Sequence, residues 1–119
     1  MAYWSLITYS RPDLSKEWFL QDNVDEVKAE TYESSEGIGR LIVALENAGK
    51  ITHYSISHSN DGLKQYVKMG FDNKDTFDKF IADMNSARPL HTQQKDTWIT
   101  NNGLTSTIQN QESEPTITL

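Results

Sequence analysis

The sequence predicts a two-layer α+β sandwich, an antiparallel sheet with two helices on one face. Three observations lead there. Two segments carry apolar residues at the i, i+3, i+4, i+7 spacing of a helix face. Between them lies a hairpin, ITHYSISHSNDGLKQYVKMGF, whose returning strand alternates apolar and polar. Strand-like segments flank the helical pair, so the order is β, α, β-hairpin, α, β.

Residues 2–10 (AYWSLITYS) are aromatic and β-branched, as a strand requires. Arg11-Pro12-Asp13 ends that strand, because proline removes a backbone donor and fixes φ. Residues 12–33 form a polar insertion. Within it, EWFLQ (17–21) reads as a short strand, and NVDEVKAETYES is open to a helical turn, an edge strand or a solvated loop. Ser34-Ser35-Glu36-Gly37 starts a helix over 35–48, since a serine there accepts orphan backbone N–H groups. Ile38, Leu41, Ile42 and Leu45 are its apolar face, and Gly49 stands where a left-handed terminal residue belongs.

Ile51–His58 is a strand, Ser59-Asn60-Asp61-Gly62 a hairpin turn, and residues 63–71 return from it. Asp72-Asn73 caps a second helix with the face Phe77, Phe80, Ile81 and Met84, ending near Ser86. His91–Gln94 is expected as a loop and Asp96–Thr100 (DTWIT) as a strand. Asn101-Asn102-Gly103 then reads as a second hairpin turn, with Leu104–Ile108 returning. Residues 109–119 are expected to be a polar tail, mobile up to its apolar TITL end.

A hairpin loop of two or four residues makes paired positions sum to an odd number. The helix-covered face then carries Tyr54, Ile56, Val67, Met69 and Phe71, with His58 at its edge. The bare face carries His53, Ser55, Lys64, Tyr66 and Lys68. A three-residue loop with a bulge reverses the assignment.

A hairpin split between two β-α connections is the ferredoxin-like arrangement, and right-handed connections put both helices on one face. On this element order, and on IGRLIVAL, TFDKFIADM and the hairpin, the chain resembles the dimeric α+β barrel superfamily over about residues 2–11 and 34–100. The resemblance implies a homodimer formed sheet to sheet, with a small-molecule pocket between the sheet and its helices. Some members of the superfamily are cofactor-independent monooxygenases or haem-degrading enzymes. No residue set here matches their catalytic patterns, and no catalytic residue is assigned.

At 119 residues the chain, 1–119, is one domain by length. Lys+Arg 11 against Asp+Glu 17 gives a net charge of -6, which leaves no basic patch for DNA or RNA and disfavours anionic membranes. The absence of cysteine excludes disulfides, thiolate zinc sites and a cysteine nucleophile. No stretch approaches the ~20 apolar residues of a membrane span, and MAYWSLITYS lacks the features of a signal peptide. A cytoplasmic protein is the expectation. Gly37-x-Gly39 lacks the third glycine and the Lys-Ser/Thr of a phosphate loop. Ser10, Ser34 and Ser35 lack the context of a nucleophile elbow. His53 and His58 are five apart on one strand and point to opposite faces, which disfavours a metal held by these two alone and favours ordinary surface or edge histidines; His91, in the expected loop, is open to joining either one. Neither metal nor cofactor is expected.

Tyr54 and His58 share the helix-covered face, where such a pair orients a ligand or moves a proton. The plainer reading is a core tyrosine and a strand-end histidine. Trp98 offers a stacking surface, against ordinary core or interface packing for it and for Trp4 and Trp18. His53, Tyr66 and Lys68 are the candidates for dimer contact, against a solvated face on which lysine discourages strand pairing. A domain of this size buries a limited share of its surface alone, which favours pairing. The expected function is a small self-associating domain that binds a small molecule between sheet and helices. Two other readings stand beside it: a cofactor-independent oxygenase-type enzyme, and a structural or subunit-bridging interaction protein.

Overall fold

The first strand, aromatic and β-branched along its length, takes the centre of the sheet. The computed structural model describes residues 1–20, 23–31, 38–87 and 89–118. Its elements run β1 (Tyr3–Ser10), α1 (Val24–Thr31), α2 (Ile38–Asn47), β2 (Ile51–His58), β3 (Lys64–Phe71), α3 (Lys74–Ala87), α4 (Pro89–Asn102) and β4 (Thr105–Gln111). The strand order is β2-β3-β1-β4, and each neighbouring pair is antiparallel. This is the ferredoxin-like order that the sequence predicts.

The hairpin register places His58 opposite Gln65, Ile56 opposite Val67 and Tyr54 opposite Met69. Ser59 N–H donates to the Lys64 carbonyl at 3.0 Å, which closes a four-residue loop of the kind that sums paired positions to an odd number. The face assignment therefore holds. One departure is local: a bulge at Thr52, between Ile51 and His53, switches the parity of β2 and turns Ile51 into the core.

Phe71 is the centre of that core, with Phe77 and Phe80 ring centroids at 5.4 and 5.6 Å. Val27, Ile38, Ile42, Ile51 and Met69 close around it. Asn73 Oδ1 accepts from Thr76 N–H at 2.9 Å and caps α3, as the sequence implies. The predicted helix start at 34–37 lies outside the described residues. So does Gln21 of the expected strand 17–21.

Four expectations are corrected. Residues 17–20 form no strand, because the Glu17 backbone is bonded to side chains of α4 rather than to a neighbouring strand. Asp96–Thr100 is not a strand and His91–Gln94 is not a loop, since both lie in α4. Asn101-Asn102-Gly103 makes no hairpin but ends that helix. Leu104 N–H reaches back to the Ile99 carbonyl at 3.0 Å and Gly103 takes φ 62°, a conformation that serves a helix terminus as readily as a turn. The polar insertion also yields a helix, α1, which is capped by Asn23 Oδ1 and seats Val27 in the core. The helices thus outnumber the two that the sequence predicts.

The predicted polar tail begins inside β4. Beyond Gln111, Pro115 is fully buried and Ile117 half-buried, so this segment is packed against the molecule. No described helix is long and apolar enough to cross a membrane.

Candidate functional site

The helix-side face of the sheet changes character along its length. At one end Tyr3, Ile51 and Phe71 meet the helices. At the other end the row is polar: His58 on β2, Gln65 on β3 and Tyr9 on β1, adjacent by register. Gln65 is only 1% exposed. Its side-chain amide donates to His58 Nε2 at 3.3 Å, which requires the lone pair of that nitrogen.

A strap of residues 11–20 crosses this end. The Trp18 ring lies 6.3 Å from the His58 ring, and the Arg11 guanidinium covers Trp18 at 4.7 Å. Arg11 Nε donates to the Gly62 carbonyl and Nη1 to the Lys16 carbonyl, both at 2.8 Å, so one side chain ties the strap to the hairpin tip. The other tie is α4. Trp98 Nε1 donates to the Glu17 carbonyl at 2.9 Å, Asn102 Oδ1 accepts from Glu17 N–H at 3.2 Å, and Phe19 meets the Trp98 ring edge-on at 6.4 Å.

Tyr54 stands two rows further in, beside Met69 and beyond the Ile56–Val67 pair. Its hydroxyl is buried and has no hydrogen-bond partner among the described residues. Burial pushes its pKa well up, helped by nearby Tyr9 and Glu46. Burial also raises Tyr9, with Asp96 adding to the effect. Both phenols are therefore protonated donors at neutral pH.

The structure thus brings Tyr54 and His58 to one face. Trp98 is set apart from them, engaged with Glu17 and Phe19 and still 37% exposed. The three residues singled out for dimer contact share the opposite face. His53 packs 5.7 Å from the Trp4 ring, Lys68 Nζ lies 5.3 Å over Trp4, and Tyr66 is buried. Gln65, Arg11 and Trp18 were not foreseen as parts of the site. The available signal was Gln65 itself, a polar residue at a helix-facing position of an otherwise apolar series.

A groove of about 430 Å³ opens at the far end of the sheet, between Leu41 and Leu45 of α2 and Thr76 and Phe80 of α3. One oxygen of Asp72, at its rim, is buried without a partner among the described residues. No group of three metal-ligating side chains converges among the described residues.

No family model matches the chain, and no curated protein matches it. A dimeric ferredoxin-like protein from an uncultured marine organism is similar in structure over 99% of this chain and 98% of that one, with a TM-score of 0.53 and 8% identity. A provisionally assigned antibiotic biosynthesis monooxygenase from Deinococcus radiodurans aligns over 98% of this chain and 97% of its own, with a TM-score of 0.49 and 17% identity. The first likeness establishes the fold: the chain shares the ferredoxin-like α+β architecture. The second is too distant to carry an argument about activity.

Proposed function

We propose that the protein is a homodimeric binding domain that holds an uncharged small molecule beneath its helix layer. The observation that carries the reading is the Tyr54 hydroxyl, buried and without a partner among the described residues. Leaving such a group unsatisfied costs about 1–3 kcal/mol, which a ligand acceptor would offset. The surroundings define the chemistry. Tyr54 and Tyr9 offer neutral donors, while Glu46 and Asp96 lie close enough to disfavour an anion. The fitting ligand has an apolar or aromatic body and a neutral acceptor such as a carbonyl. Pairing of two copies is supported by the outer face, where Trp4, Leu6 and Tyr66 lie on adjacent strands, and by the dimeric state of the marine ferredoxin-like protein.

The test compares acetophenone, a neutral aromatic ketone, with benzoate by calorimetry and thermal shift. Acetophenone should bind, benzoate should not, and Tyr54→Phe should weaken the ketone by about tenfold while the fold is retained. Equal affinity in Tyr54→Phe and in the parent would overturn the reading. The oxygenase reading has its own readout: oxygen-dependent turnover of an electron-rich aromatic substrate, lost in His58→Ala.

A further inference from the structure

The sheet face turned away from the helices is not bare. After β4 the chain passes back over it. Glu114 Oε2 lies 3.0 Å from Lys68 Nζ, and the Thr118 carbonyl accepts from the Tyr66 hydroxyl at 3.2 Å. Between them Pro115 is fully buried. Lys68 is left with 12% of its side chain exposed, so the segment covers a charged residue together with Tyr66. These two residues, with Trp4 and Leu6 across the same strands, form the middle of the surface that a second copy would bury in a sheet-to-sheet dimer.

The segment is lightly held. It makes no strand pairing beyond Gln111, and Glu112, Ser113, Glu114, Thr116 and Thr118 are exposed. Its ion pair has a carboxylate side chain that is 60% exposed, and such pairs contribute little. An apolar proline and one neutral hydrogen bond supply much of the rest. A cover of this kind can lift without unfolding the sheet beneath it.

We propose that residues 112–118 compete, within one chain, with a second copy of the chain for the Tyr66–Lys68 face, so that self-association requires the segment to lift. This rests on the homodimer reading above and adds a control to it. Each protomer must open its own face. If one molecule in about ten is open, apparent affinity falls about tenfold per protomer, and about a hundredfold for a pair that needs both open.

The experiment is sedimentation equilibrium on three proteins: the full chain, the chain ended after Gln111, and Glu114→Lys, which sets like charge against Lys68 and leaves the sheet untouched. Circular dichroism checks that each is folded; if the shortened chain is not, Glu114→Lys decides alone. Both variants should dimerise at least about tenfold more tightly than the full chain. Weaker pairing in the variants places the segment inside the dimer interface and overturns the competition. Equal pairing in all three overturns the competition and leaves the dimer standing. Monomers throughout overturn both.

Discussion

The six-membered ring of Trp4 lies against the α-carbon of Gly70, directly across from it in the β1–β3 register. A Cβ on Gly70 would come within 2.8 Å of Trp4 Cζ3 and 3.0 Å of Thr52 Oγ1. The glycine is thus required by close approach from two sides, the indole on one strand and the bulge of β2 on the other. Gly70→Ala should destabilise the protein by about 1–3 kcal/mol, the usual cost of overpacking. Urea denaturation followed by tryptophan fluorescence measures it. A midpoint equal to that of the parent would show that the indole moves aside without cost.

The two buried phenols set an alkaline limit on stability. Below about pH 10, the ordinary tyrosine pKa, both the folded and the unfolded chain keep these protons and the stability is fully present. Above it the unfolded chain loses them first, because Tyr54 and Tyr9 are raised in the fold, chiefly by burial. The unfolded state then binds fewer protons, and stability falls as pH rises through the folded values. Denaturant midpoints should decline from about pH 10 upward, and Tyr54→Phe should flatten that slope. An unchanged slope would mean that the Tyr54 hydroxyl ionises as freely in the fold as outside it.

Arg11 holds the strap by two carbonyls and one aromatic face. A lysine carries the charge but not the planar fork that reaches Gly62 and Lys16 together. Arg11→Lys should therefore cost about 1–2 kcal/mol. Amide exchange should accelerate at residues 16–18 while α2 and α3 keep their protection. Uniform acceleration across the chain would show that Arg11 supports the whole fold and not the strap alone.

The second anchor gives a milder, separable effect. Trp98→Phe keeps a ring for Phe19 but removes the donor to the Glu17 carbonyl, a loss of about 0.5–1.5 kcal/mol. Because Arg11 and Trp98 tie the same strap, the double variant should depart from additivity. A purely additive double-variant cycle would show that the two ties act independently.

The sheet and its two amphipathic helices were legible because their patterns are strong. Val67, Met69 and Phe71 alternate on one strand, and Ile38, Leu41, Ile42 and Leu45 repeat on one helix face. α4 was not legible for the opposite reason. PLHTQQKDTWITNN has no apolar stripe, and its DTWIT core is of strand-forming composition. It is helical through tertiary support: it packs along α3, and Trp98 and Asn102 engage the strap. α1 hid in the polar insertion because, among its described side chains, Val27 alone is buried in the core. Within the site, Tyr54 and His58 followed from strand parity. Arg11 did not, since its partners are carbonyls of Gly62 and Lys16, and a sequence shows no marker for a carbonyl that needs a donor.

The placement of β1 has a consequence for how the chain is made. Within this domain β1 is synthesised before both of its neighbours, β3 and β4, and Ile7 finds Ile108 only after some hundred further residues have been made. Closing so long a loop slows folding. Until then the nascent AYWSLITYS segment is an apolar strand with two unpaired edges, so the period of greatest exposure to aggregation falls during synthesis. A nascent-chain chaperone that binds extended aromatic segments would find its best target in the first ten residues.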